Sequence, residues 1–166
     1  MYEVYVLVPV RKSFATVFAA VFSMVLAILC LLLSCVTMFM LPFVLVFGGL
    51  WYFLTFCSFK EFEYSYFDGE VRFAKIMNKS RRKRIGVYTM EDVVQIAPAG
   101  DRSVYKYEND SSLKVKDYTS KVKGRPSYDM VIQKDGGMLL IKFEPDDKYL
   151  DAVEVKYKQK VIRRQA

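Results

Sequence analysis

Two periodicities divide the chain. From Ser13 to Phe59 no charged side chain occurs, and apolar residues fill most positions. A single helix over that stretch would be about 70 Å long at 1.5 Å per residue. That is more than twice the ~30 Å hydrocarbon thickness of a bilayer, so two spans with a short turn fit better. The pattern predicts a two-helix transmembrane hairpin over residues 13–59, with helices at Ser13–Cys35 and Leu41–Phe59 and a turn at Val36–Met40. Pro42 then falls in the first turn of the second helix, where its missing N–H is not needed. Ala15, Ala19, Ser23 and Ala27 recur every fourth residue and form a helix-packing face, with Gly48 and Gly49 as a shallow opposing surface. That face has two readings: packing within the hairpin, or docking of a second copy or another membrane protein.

From Lys60 onward the period falls to two. Phe62, Tyr64 and Tyr66 alternate with Glu61, Glu63 and Ser65, the mark of a half-buried strand. Asp68-Gly69 supplies a hairpin turn, and Val71, Phe73 and Ile76 face the core on the return. Further strands are expected at Ile85–Met90, Val93–Ala97, Ser103–Tyr107 and Lys114–Tyr118. A second hairpin joins Tyr128–Gln133 to Met138–Phe143 through Asp135-Gly136-Gly137. Pro145, Asp146 and Asp147 open a C-terminal helix, with Tyr149, Leu150, Val153 and Tyr157 as its apolar stripe. Lys156, Lys158 and Lys160 sit toward its other end, favourably for the helix dipole.

About seven antiparallel strands followed by one amphipathic helix describe a pleckstrin-homology-like barrel. The expected organisation is an N-terminal extended segment over residues 1–12, the hairpin over 13–59, and a cytoplasmic β domain with its helix over 60–166. Met1–Val10 reads as a strand stopped by Pro9, able to pair with an exposed edge of that domain.

Charge sets the orientation. Arg11 and Lys12 precede the first span, and Lys60 with a later basic run follows the second. Positive flanks stay on the cytoplasmic side, so both termini are expected there, in a multi-pass protein of the cell membrane. A secretory signal has an apolar core of only about 7–15 residues, far shorter than this run. Leu32-Leu33-Ser34-Cys35 loosely resembles a lipoprotein cleavage box, but the chain stays apolar beyond Cys35, where a polar tether belongs.

Composition narrows the chemistry. The chain has no histidine, which removes the commonest general base and metal ligand. Cys30, Cys35 and Cys57 lie inside the apolar stretch, away from any polar pocket that would gather thiolates around a metal. No P-loop, nucleophile elbow or dinucleotide turn is present. No cofactor, no metal and no catalysis are expected; a convergence of carboxylates such as Asp117 with Asp129 would be the one route back to an enzyme.

Lys79, Arg81, Arg82, Lys83 and Arg84 crowd five positive charges into six residues of a chain with formal net charge +7. Anionic headgroups attract such residues by about 1 kcal/mol each near a surface, so the cluster is read as a basic loop touching anionic lipid. The plainer reading is a solvated turn that reinforces topology. Stacking aromatics are not interleaved with it, which argues against nucleic acid. The spacing of Lys79, Arg82 and Arg84 loosely resembles a phosphoinositide-binding pattern of pleckstrin-homology domains, but Gly86 stands where an apolar residue is expected.

The run Lys75–Arg84, with Val94–Pro98, Ile141–Pro145 and the opening Met1–Val6, resembles a family of small membrane proteins from clostridia-type Gram-positive bacteria. The resemblance covers nearly the whole chain, hairpin included. It implies topology and bacterial origin, and it transfers no activity and no functional residues. The expected function is a non-catalytic, two-pass protein presenting its domain to membrane lipids and an unidentified protein partner, possible as a homo-oligomer. The alternative is an accessory subunit of a membrane complex such as a transporter, docked through the small-residue face.

Overall fold

The structure is a computed structural model and describes residues 3–134 and 136–164. It forms two compact units. One, the helical unit, comprises Arg11–Lys60 with Met77–Arg81; the other, the β unit, comprises Met1–Val10, Glu61–Ile76 and Arg82–Ala166.

In the helical unit, α1 spans Phe14–Ser34 and α2 spans Leu41–Tyr52, preceded by a 3₁₀ turn at Met38–Met40 and continued by a π-turn at Phe53–Cys57. Phe14–Ser34 and Met38–Cys57 are each long and apolar enough to cross a membrane. Their outward surfaces carry large apolar side chains, including a stacked row of Phe14, Phe18 and Phe22 with centroids 6.4 and 6.2 Å apart. Pro42 sits in the first turn of α2, as the pattern predicts.

Ser23 is 2% exposed, and its hydroxyl donates to the Ala20 carbonyl at 2.9 Å, which satisfies the buried polar group locally. Ala19 and Ala27 are half-buried on the same side, while Ala15 is exposed. The glycines depart from expectation. A Cβ on Gly48 or Gly49 would meet nothing within 4 Å, so no close backbone approach depends on them. Instead Trp51 and Leu54 face Val17, Ala20 and Val21 across a cavity of about 260 Å³. Lys12 fastens the base of the hairpin: its ammonium donates to the carbonyls of Leu54 (3.1 Å) and Thr55. A π-turn displaces carbonyls from the regular ladder, and a cation at a helix C-terminus also meets the negative end of the dipole.

Among the described residues the β unit has eight strands in two sheets. Strands β1 (Val4–Pro9), β2 (Lys60–Phe67), β3 (Glu70–Met77) and β4 (Arg81–Thr89) lie in that order in the first sheet. Strands β5 (Val93–Pro98), β6 (Lys114–Asp117), β7 (Tyr128–Lys134) and β8 (Gly137–Phe143) form the second, in the order β5-β7-β8-β6. Strand β1 pairs antiparallel with β2, from Val4 opposite Tyr66 to Pro9 opposite Glu61. The opening segment is thus part of the β unit rather than a separate piece, because Val4, Val6 and Val8 complete its core. The two helices are an insertion between paired strands.

Asp68 (φ 45°) and Gly69 (φ 85°) make the expected turn between β2 and β3. A Cβ on Gly69 would also sit 2.9 Å from the Tyr157 hydroxyl. In the second predicted hairpin turn Asp135 lies outside the described residues; Gly136 follows at φ 75°.

Three further expectations fail. The segment predicted as strand Ser103–Tyr107 is helix α3 (Arg102–Glu108), because Asp101 caps it, accepting from the Ser103 N–H at 2.9 Å. Strand β6 pairs parallel, not antiparallel, with β8: it lies on the opposite side of β8 from β7. And β4 starts at Arg81, so most of the supposed basic loop is strand.

The core lies between the sheets and is aromatic. Phe143 meets Tyr64 and Phe73 edge-on at 5.7 and 5.9 Å, the arrangement ring quadrupoles favour. Helix α4 (Asp147–Tyr157) adds Tyr149, Leu150 and Val153 to it, its start capped by Asp146 accepting from the Tyr149 N–H at 2.9 Å. Lys160 lies beyond α4, and its ammonium donates to the carbonyls of Met90, Glu91 and Val93 at 2.7, 3.2 and 2.7 Å instead of facing the helix end. A second apolar cluster, Ala97, Val104, Val131 and Leu140, lies where α3 covers the other face of the second sheet. Residues Tyr128–Ile132 of β7 are accordingly buried on both faces.

Candidate functional site

Alternation on the first sheet sends Tyr64, Tyr66, Val71 and Phe73 inward and leaves Glu63, Ser65, Arg72 and Ala74 on the outer face. Ser65 and Ala74 are nonetheless buried, because longer neighbours stand around them. Those neighbours are arginines. Arg72 and Glu70 share two hydrogen bonds, from Nε and Nη2 to one carboxylate oxygen, at 3.1 and 2.7 Å. Arg82 reaches across from β4 to the Glu63 carboxylate. Arg84 makes no ion pair among the described residues. The result is a pocket of about 250 Å³ lined by Glu3, Ser65, Phe73 and Ala74 with Arg72, Arg82 and Arg84. The Ser65 hydroxyl has no hydrogen-bond partner among the described residues.

The basic cluster divides. Asn78 and Lys79 form the β3–β4 turn, both at positive φ, and the Lys79 ammonium lies 5.2 Å from the Phe59 ring centroid. Lys79 and Arg81 group with the helical unit; Arg82 and Arg84 line the pocket; Lys83, between them on β4, does not. Of the suggested triplet, Arg82 and Arg84 line the pocket, and Lys79 belongs to the other unit. Gly86 has a packing reason of its own: a Cβ there would sit 2.7 Å from the Tyr88 ring, whose hydroxyl accepts from Lys116 at 3.0 Å.

The carboxylates converge more closely than spacing alone could show. Lys142 on β8 stands opposite Asp129 of β7 on one side and Asp117 of β6 on the other. Asp129 is 0% exposed, and neither of its oxygens accepts a hydrogen bond from a donor among the described residues. Burial, and then the Glu108 carboxylate at the end of α3, push it up to about 7, against the pull of Lys142. Asp117 is opposite in character. Burial works against its charge, yet Lys121 and Thr119 hold it below its ordinary value. The two differ in environment, but α3 covers one and the other is committed to its own loop. Among the described residues no three Asp, Glu or Cys side chains gather as a metal site.

Sequence reasoning missed Ser65, Arg72 and Ala74. The signal was present: small residues at outward positions of strands otherwise carrying long charged side chains. The model of one protein family, described as Bacterial PH-like domain (DUF6106), matches residues 2–163. The chain belongs to this family. Eight strands in two largely antiparallel sheets with a C-terminal helix are the PH-like part, and the match also runs through the two apolar helices inserted in this bacterial PH-like protein. Searches of curated proteins and of solved structures return no match.

Proposed function

We propose that this bacterial PH-like protein is a two-pass membrane protein without catalytic activity, whose β unit is a binding module held against an anionic cytoplasmic leaflet. The observation that carries this reading is the charge of the helical unit. It holds Arg11, Lys12, Lys60, Lys79 and Arg81, and no acidic residue. Arg11, Lys12 and Lys60 flank the helices, Lys79 lies on the turn that touches Phe59, and Arg81 directly follows that turn, a basic collar at one end of the hairpin. Each adds about 1 kcal/mol of attraction to an anionic surface, and together they favour the cytoplasmic side.

Connectivity supports an even number of crossings. The insertion begins after Pro9 and ends before Glu61, which face each other in one strand pair. The small-residue face is the weaker docking surface, since Ser23 is already buried within the hairpin; the accessory-subunit reading loses its contact there.

Topology is tested with a single cysteine at Val155, which is 89% exposed, in the full chain with its native cysteines replaced by alanine. An impermeant maleimide should label it in inverted membrane vesicles and not in right-side-out ones; the reverse pattern overturns the reading. Lipid contact is tested by native mass spectrometry of the full chain. Wild type should retain phosphatidylglycerol over phosphatidylethanolamine, and glutamine at the five collar positions should abolish that preference.

A further inference from the structure

We propose that the outer-face pocket of the first sheet binds a phosphomonoester group, either free or on a lipid headgroup. Three arginines from two neighbouring strands line the pocket together with two small, buried side chains, Ser65 and Ala74. Each guanidinium offers five N–H donors. Arg72 uses two of them on Glu70 and Arg82 one on Glu63, while Arg84 uses none on a carboxylate. Donors therefore remain on all three, and the unpartnered Ser65 hydroxyl adds another.

Planar guanidinium forks match phosphate oxygens in pairs, which a point-charge lysine does not. Glu3 also lines the pocket and opposes any anion, so binding needs all three arginines to outweigh it. A dianionic phosphomonoester engages three arginines more strongly than a singly charged phosphodiester or carboxylate. Size agrees: about 250 Å³ falls below the roughly 300–1,000 Å³ of drug-sized sites, room for a phosphate and a small substituent. None of the five collar residues lines the pocket, so this proposal stands or falls separately from the lipid collar.

The test uses the full chain in nanodiscs. In neutral phosphatidylcholine discs, calorimetric titration with glycerol 3-phosphate detects a free ligand. In a second arm, discs carrying phosphatidic acid are compared with discs of equal charge made with phosphatidylglycerol, and protection of Arg84 from phenylglyoxal is read by peptide mass spectrometry. Saturable binding of glycerol 3-phosphate identifies a free phosphomonoester. Protection by phosphatidic acid, beyond that given by phosphatidylglycerol, without such binding identifies a lipid headgroup. Whichever arm is positive, Arg84→Gln should weaken the interaction at least tenfold, while Lys83→Gln on the same strand changes it less than twofold. Ala74→Leu keeps every charge but fills the pocket, and should remove binding from a chain whose near-ultraviolet circular dichroism is unchanged. No binding or protection in either arm overturns the proposal. So does equal weakening by Arg84→Gln and Lys83→Gln, or unchanged binding in a folded Ala74→Leu protein, since either shows only a diffuse positive field.

Discussion

Asp129 is the side chain whose ionisation this fold opposes most directly. It sits on a strand buried on both faces, with no donor to stabilise its charge among the described residues, beside a second carboxylate at Glu108. Its folded pKa, about 7, lies above the roughly 3.9 of an unfolded aspartate. The native state therefore holds its proton more tightly. The resulting stability is complete below about pH 4 and is lost as pH rises through 7. Asp129→Asn abolishes the titration. Relative to wild type, its advantage should grow by about 1.4 kcal/mol per unit between pH 5 and 7, then level off. Thermal melts of the full chain at pH 5, 7 and 8 check this, and a constant difference in Tm across them refutes it. The sequence pointed to Asp129 together with Asp117, but not to Glu108. That partner depends on α3 lying over the sheet, where the sequence pattern suggests a strand at Ser103–Tyr107 instead. What decides the helix is one cap, Asp101, and a burial pattern in which Val104 and Tyr107 meet a second cluster.

Elements with strong periodicity were legible and their partners were not. Helix α4 starts at its acidic cap and buries the stripe its spacing implied. Strands β2, β3, β7 and β8 lie where alternation put them. The start of β4 was hidden because four consecutive basic residues carry no alternation, and its pairing with β3 outweighs their cost. For the helices, spacing identified the side of α1 that packs but not what meets it. Ser23 is enclosed, whereas a Cβ on Gly48 has open space. Two opposite outcomes follow. Ser23→Leu should overpack the contact, with the 1–3 kcal/mol typical of forced extra volume, and lower the melting temperature in detergent. Gly48→Ala should leave the melting temperature unchanged or raise it, through up to about 1 kcal/mol of helix propensity. If Gly48→Ala is the more damaging change, the helices approach through their glycines after all.

At the scale of the whole molecule, the order of chain segments conceals how the β unit is assembled. A boundary near residue 60 suggests that everything after it folds alone, yet Val8 of β1 is fully buried in the same core as Tyr64 and Phe143. Burying one such side chain contributes about 1.5–3 kcal/mol, and Val4 and Val6 pack beside it. A fragment of residues 60–166 would expose that row and leave the edge of β2 unpaired, a template for aggregation. The strand register suggests a different soluble protein. Pro9 faces Glu61, so Val10 and Lys60 stand at the two ends of what would be an ordinary hairpin. Replacing residues 11–59 with Asn-Gly supplies the left-handed backbone that a two-residue turn between twisted strands requires. That protein should be monodisperse without detergent and melt in one cooperative transition, whereas residues 60–166 alone should aggregate or melt without cooperativity. Size-exclusion chromatography and calorimetry on the two proteins decide it. If the fragment lacking β1 is equally soluble and cooperative, the first strand is a dispensable edge. If the Asn-Gly protein fails while β1 remains present, the helices contribute to the β unit's stability rather than being inserted into a fold complete without them.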